Sequence, residues 1–154
     1  MKQDLICWDS CVVIAWIKEE PCRIKAIAPV VKNTEAGYYN LIVSSLVYPE
    51  VLESRMSHEA ITKFKSFMQN REALGMFPVD LHVAQKAQKI RNLVPESAKM
   101  STPDAIHVAT AIVSGATMLH TFDKGLLSLN GKDQVEGLTI TACDVLGMKR
   151  SLFD

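Results

Sequence analysis

No two cysteines in this 154-residue chain are spaced as CxxC. The four present, Cys7, Cys11, Cys22 and Cys143, lie mostly inside apolar segments, which argues against a disulfide framework or a zinc site. Free thiols in a reducing compartment are expected. Net charge is also lacking: 17 Lys and Arg face 17 Asp and Glu, a formal balance of +0, so no whole-protein field draws in a polyanion. Long apolar runs are missing too. Cys11 to Ile17 is the longest early one, and it follows Asp9 and Ser10 with no small-residue cleavage signature. Neither a signal peptide nor a membrane span is expected, and a cytoplasmic location follows as the default. With 48% hydrophobic and 22% charged residues, the length suits one well-packed core, so residues 1–154 are read as a single domain.

What is present is an alternation of short apolar runs with helical patterns. Leu5 to Trp8 reads as a strand, ended by Asp9-Ser10 before a buried helix over Cys11 to Lys18. Residues 19–40 carry Pro21, Pro29, Gly37 and several charges, which predicts an exposed insertion of loop or short helices. Leu41 to Val43 is a second strand, followed by Ser44-Ser45 and a helix over Leu46 to Arg55 that contains Glu50. Helices are predicted over Ser57 to Asn70 and Leu81 to Leu93, with a short strand at Met76 to Val79 between them. Thr102 as N-cap and Pro103 at the first helical position start a helix that Gly115 stops. Thr117 to His120 and Leu138 to Ile140 complete the strands, and 145–154 forms a tail of uncertain order. Short apolar strands between helices predict an α/β fold, a parallel sheet covered by helices on both faces.

In such sheets ligands bind outside the carboxyl ends of the strands. Asp9 and Asp123 directly follow strands, while Glu50 and Asp104 lie in first turns of helices near the same edge. Asp104 falls at the amide-rich end of its helix, where the dipole favours the ionised form. Carboxylates packed together raise one another's pKa unless a cation offsets them. Hard oxygen donors without a His or Cys partner favour Mg²⁺ or Mn²⁺ over zinc, and phosphodiester hydrolysis is the natural chemistry. With those four acids committed to metal, 17 basic residues face 13 acidic ones, a balance of +4 that can serve phosphate contacts.

The flanking residues narrow this further. Trp8-Asp9-Ser10-Cys11-Val12-Val13-Ile14, Val43-Ser44-Ser45-Leu46-Val47-Tyr48-Pro49-Glu50-Val51, Thr102-Pro103-Asp104-Ala105-Ile106-His107-Val108-Ala109-Thr110-Ala111 and His120-Thr121-Phe122-Asp123-Lys124 occur in the order seen in PIN-domain nucleases. The chain resembles that family along nearly its full length, and within it the VapC-type ribonuclease toxins. The resemblance implies a three-layer α/β/α fold around a roughly five-stranded parallel sheet. It implies that Asp9, Glu50, Asp104 and Asp123 form the catalytic metal site, with Thr121 and Ser10 supporting. It further implies RNA as substrate, Mg²⁺ or Mn²⁺ as cofactor, a homodimer, and a cognate antitoxin as partner. One departure stands out: Pro49 precedes Glu50, and a proline costs a helix hydrogen bond unless the helix starts there.

Plainer readings exist for the same residues. Asp9 could be only an N-cap, and Asp123 only a turn residue. His107 follows Asp104 by three and could share its face as ligand or general base, although a packed, hydrogen-bonded helix histidine is the commoner case. Ser101 and Thr102 are explained by capping, since no Ser-His-Asp pattern accompanies them. Lys63, Lys65, Lys86, Lys89, Arg91 and Lys99 either meet an RNA backbone or form solvated helix faces. Two other functions compete with the ribonuclease: an inactive PIN-like protein- or RNA-binding scaffold, and a metal-dependent phosphatase.

Overall fold

The computed structural model describes residues 4–53, 55–70 and 74–143. The tail expected at 145–154, and Ser54 near the end of the predicted Glu50 helix, lie outside them. The elements run β1 (Asp4–Trp8), α1 (Ser10–Ile17), α2 (Ile24–Glu35), β2 (Tyr39–Ser44), α3 (Val47–Glu53), α4 (His58–Gln69) and β3 (Gly75–Phe77). They continue with α5 (Leu81–Leu93), α6 (Thr102–Ser114), β4 (Met118–His120), α7 (Lys124–Leu127) and β5 (Thr139–Thr141). Five strands pair in the order β3-β2-β1-β4-β5, every pair parallel, which bears out the predicted α/β fold.

The central strand shows why both faces must be covered. Side chains alternate along a strand, and here Ile6 and Trp8 enter one core while Cys7 enters the other. The first core draws Val12 and Val13 from α1, Ile27 and Val30 from α2, Val47 and Val51 from α3 and Phe64 from α4. The second draws Val83, Ala87 and Ile90 from α5, Val108 and Ala109 from α6, and Leu126 from α7. A sheet apolar on both sides leaves polar chemistry only its edges and strand ends.

Residues 19–40 depart from the sequence reading. Instead of an exposed insertion, residues 24–35 form the twelve-residue helix α2, with Ile27, Val30, Val31 and Thr34 buried. Those four sit at i, i+3, i+4 and i+7, one helical face. Pro29, which suggested a break, lies inside the helix and forgoes only its own hydrogen bond to the preceding turn. Burial of that apolar face outweighs the lost bond, since each buried aliphatic side chain contributes about 1.5–3 kcal/mol.

Two smaller shifts concern helix starts. Ser101, not Thr102, is the N-cap of α6; its Oγ accepts from the Asp104 amide at 3.2 Å. Pro49 is the third residue of α3, where the helix start leaves the amide without an intrahelical partner in any case. The next amide, that of Glu50, makes the i to i−4 bond to the Leu46 carbonyl at 3.3 Å, so Pro49 leaves the turn carrying Glu50 intact.

Candidate active site

Register explains how the carboxyl edge assembles. Trp8 pairs with His120 across β1 and β4, so the residues that follow, Asp9 and Thr121, leave the sheet side by side. The Asp9 amide donates to the His120 carbonyl at 3.0 Å, continuing the ladder one step past the strand. Thr121, fully buried, then donates its hydroxyl to Asp9 Oδ2 at 2.8 Å and accepts from the Asp123 amide at 3.0 Å. One threonine therefore ties the first acid to the backbone of the last.

Asp9 is held from several sides. It caps α1, its Oδ1 accepting from the Ser10 amide at 2.8 Å, while the Cys11 thiol donates to Oδ2 at 3.1 Å. Burial and the Asp9 charge push the Cys11 pKa up to about 12, so the sulfur stays a thiol and a donor. The Ser10 hydroxyl lies 3.5 Å from Asp9 Oδ1 and 3.4 Å from Glu50 Oε2, and its single proton serves one of them at a time. The N-cap reading of Asp9 is thus correct and incomplete: the same carboxylate also faces the other side chains of the edge.

Glu50 reaches this cluster through His107. The imidazole Nε2 lies 2.6 Å from Glu50 Oε1 and 3.5 Å from Asp9 Oδ1. His107 is fully buried, and its Nδ1 has no hydrogen-bond partner among the described residues. Burial alone would lower its pKa. The Glu50 hydrogen bond and the charges of Asp9, Glu50 and Asp104 act the other way and raise it overall. The plain reading of a packed, hydrogen-bonded histidine holds, but the partner is a candidate ligand on another helix.

Asp104 and Asp123 lie near enough to that knot for charge to be felt, Asp104 acting on His107 and both Asp9 and Asp123 acting on Asp104. Asp104 and Asp123 line a cavity of about 210 Å³ with Val94, Met100, Leu126 and Lys99. Asp123 caps α7, Oδ1 accepting from the Leu126 amide at 2.9 Å, so it is more than an ordinary turn residue. Burial raises the Asp104 pKa; a hydrogen bond from Ser101 opposes this, and the negative charges of Asp9 and Asp123 add to it. Asp104 does lie in the first turn of α6, as the sequence reading placed it. A larger cavity, about 550 Å³, is lined by Ile17, Lys18, Met56 and Lys63 and touches none of the four acids.

The donor types suit a hard divalent cation. Carboxylate oxygens dominate, and the like charges that raise Asp104 are what a cation would offset. The arrangement is open: among the described residues, no three His, Cys, Asp or Glu side chains are gathered as a ready metal cage. Mg²⁺ commonly takes only one or two carboxylates and keeps waters for the rest, so an open edge is compatible with it.

Of the lysines considered as backbone contacts, Lys63 bonds Glu19 at 3.3 Å and Lys86 bonds Glu136 at 3.0 Å, which commits them to intramolecular pairs. Arg91 donates to Thr102 Oγ1 at 3.0 Å. Lys99 and Lys124 are exposed beside the acids, Lys99 on the cavity wall and Lys124 next to Asp123. Lys124 and Cys11 were not singled out from sequence; their adjacency to Asp123 and Asp9 was the available signal.

An all-parallel α/β sheet with acids along its carboxyl edge defines the class. The chain belongs to the PIN domain family, whose pattern it matches over residues 6–132. Its fold is similar to that of a chain in the crystal structure of VapBC2 from Rickettsia felis bound to a DNA fragment from their promoter. There the TM-score is 0.68 at 14% identity, covering 91% of this chain and 99% of that one. It is also similar to a chain of FitAcB from Neisseria gonorrhoeae, with a TM-score of 0.58 at 15% identity, covering 88% and 96%. No curated protein sequence matches the chain. Among the described residues, no helix is long and apolar enough to cross a membrane.

Proposed function

We propose that this protein is a Mg²⁺- or Mn²⁺-dependent ribonuclease and the toxin of a toxin–antitoxin pair. The observation that carries the reading is the carboxyl edge of a PIN domain, where Asp9, Glu50, Asp104 and Asp123 leave neighbouring elements and Thr121 links Asp9 to Asp123. Asp9, Glu50, Asp104 and Asp123 would hold the ion. Such an ion, when bound, supplies charge neutralisation at a phosphodiester and a water acidic enough to attack it. The chain's own residues do the rest. Thr121, Ser10 and Cys11 orient the Asp9 carboxylate. The Leu126 amide orients Asp123. Lys99 and Lys124 offer positive charge to the RNA backbone without base discrimination.

Partnership with an antitoxin and a homodimeric state belong to the same proposal. The VapBC2 and FitAcB structures support it by fold likeness. Co-expression with the product of an adjacent reading frame, followed by light scattering, tests both.

Two observations favour a second reading, an inactive scaffold: Glu50 is engaged by His107, and among the described residues no three donors stand ready. Cleavage of a mixed RNA pool with Mg²⁺ or Mn²⁺ against EDTA, beside Asp104→Asn, separates the readings. Metal-dependent cutting abolished by the substitution is the expected result. Mn²⁺ binding without cutting would establish the scaffold, and turnover of a chromogenic phosphoester with RNA left intact would establish a phosphatase.

A further inference from the structure

His107 is a polar side chain in a place built for small ones. On α6 its buried neighbours include Ala105, Val108, Ala109 and Ala111, which let the helix lie close against the sheet. A fully buried imidazole there is costly unless it is bonded. Among the described residues Nδ1 is unpartnered, and the short bond runs from Nε2 to Glu50 Oε1, 2.6 Å long and 57 residues away in sequence. An ionised carboxylate only accepts, so Nε2 carries the proton and donates.

Glu50 needs such a hold. It sits on α3, a seven-residue helix, and its side chain is 25% exposed, with water available as an alternative environment. Keeping a glutamate in a single rotamer costs side-chain entropy. Its other described contact is the Ser10 hydroxyl at 3.4 Å, long and shared with Asp9. The thirteen-residue helix α6, packed against α5, is by contrast a firm base.

We propose that His107 is a positioning residue: its Nε2–H turns the Glu50 carboxylate inward to stand beside Asp9, so that the two present oxygens to one cation. The inference rests on the reading of Glu50 as a ligand. His107 itself touches no substrate and is not a ligand in this scheme. Partners that orient metal ligands typically alter metal affinity about 10–100-fold when removed.

Mn²⁺ titration of the RNA-free protein tests this, using wild type, His107→Leu, His107→Gln, Glu50→Gln and the His107→Leu/Glu50→Gln pair. His107→Leu keeps an apolar filling of similar size and is expected to weaken Mn²⁺ binding by at least about tenfold. His107→Gln, whose amide nitrogen reaches about as far as Nε2, restores it; in the Glu50→Gln background His107→Leu adds nothing. Wild-type affinity in a folded His107→Leu, or the same loss with and without Glu50, overturns the proposal. Should His107→Leu fail to fold, Gln against the one-methylene-shorter Asn makes the same comparison. Urea unfolding of the same set keeps the two ideas separable. No Mn²⁺ uptake by wild type removes the metal reading, whereas a His107–Glu50 coupling of zero in the double-mutant cycle removes the positioning contact.

Discussion

Replacing Thr121 by valine removes a hydroxyl while keeping nearly the same shape, in a residue that is fully buried. Two bonds vanish together: the 2.8 Å donation to Asp9 Oδ2 and the 3.0 Å acceptance from the Asp123 amide. A hydrogen bond to an ionised group contributes about 1.5–3 kcal/mol, and a stranded amide costs about 1 kcal/mol or more. A loss of about 3 kcal/mol follows. In a domain of this length each kcal/mol corresponds to about 2–4 °C, so the melting midpoint should fall by about 6–12 °C. Calorimetry in EDTA keeps metal binding out of the measurement. Thr121→Ser is the control, since it retains the hydroxyl and loses one methyl group, about 1 kcal/mol. A valine variant melting within about 2 °C of wild type, or a serine variant falling as far as the valine one, would refute the assignment of Thr121 as the tie across the edge.

Two more predictions follow from the packing and the charges. Ile27→Ala, in α2, should cost about 2–5 kcal/mol in urea unfolding because Ile27 is fully buried in the first core; a loss below about 0.5 kcal/mol would mean that α2 is peripheral. In EDTA, stability should decline as pH rises above 6.5: His107 has a folded pKa above its ordinary 6.5, so its contribution is full below 6.5 and lost as pH rises through the folded value. Asp104, also raised, acts with the same sign at lower pH, its contribution full below 3.8 and lost as pH rises through its folded value; a urea midpoint that climbs as pH rises above 6.5 would contradict the His107 assignment.

Much of the fold was legible because short, continuously apolar runs alternate with helical spacing along the chain. Leu81–Leu93 matches its predicted helix, and each predicted strand overlaps an observed one. The region 19–40 was misread because Pro29 and Gly37 were weighed above the i, i+3, i+4, i+7 pattern of Ile27, Val30, Val31 and Thr34, and tertiary burial decides such contests. The choice between Ser101 and Thr102 as cap turns on one residue, since both side chains can accept from the helix start. The placing of Asp9 directly after β1 and of Asp123 near the end of β4 was legible from the parallel-sheet reading. The His107–Glu50 bond was not, because it joins helices packed on opposite faces of the sheet, and no local spacing encodes such a meeting. Cys11 was hidden for a different reason, since its thiol reads as apolar filling until Asp9 is seen beside it.

Strand order explains why that meeting happens where it does. The chain builds β1, β2 and β3 outward in one direction, then returns to place β4 and β5 on the other side of β1. A sheet of this kind has its topological switch between β1 and β4, and the crevice outside the carboxyl ends lies there. Asp9 and Thr121 flank that switch, one from each strand. The return from the β3 edge to β4 runs through α5 and α6, and α6 contacts β1, β2 and β4 on its way. Its first turns therefore bring Asp104 and His107 to the end of the crevice that β2 also supplies with Glu50, through α3. Four acids from four elements and one buried imidazole are thus a consequence of connectivity. A strand inserted between β1 and β4 would separate Asp9 from Thr121, and moving β2 from beside β1 would separate Glu50 from His107.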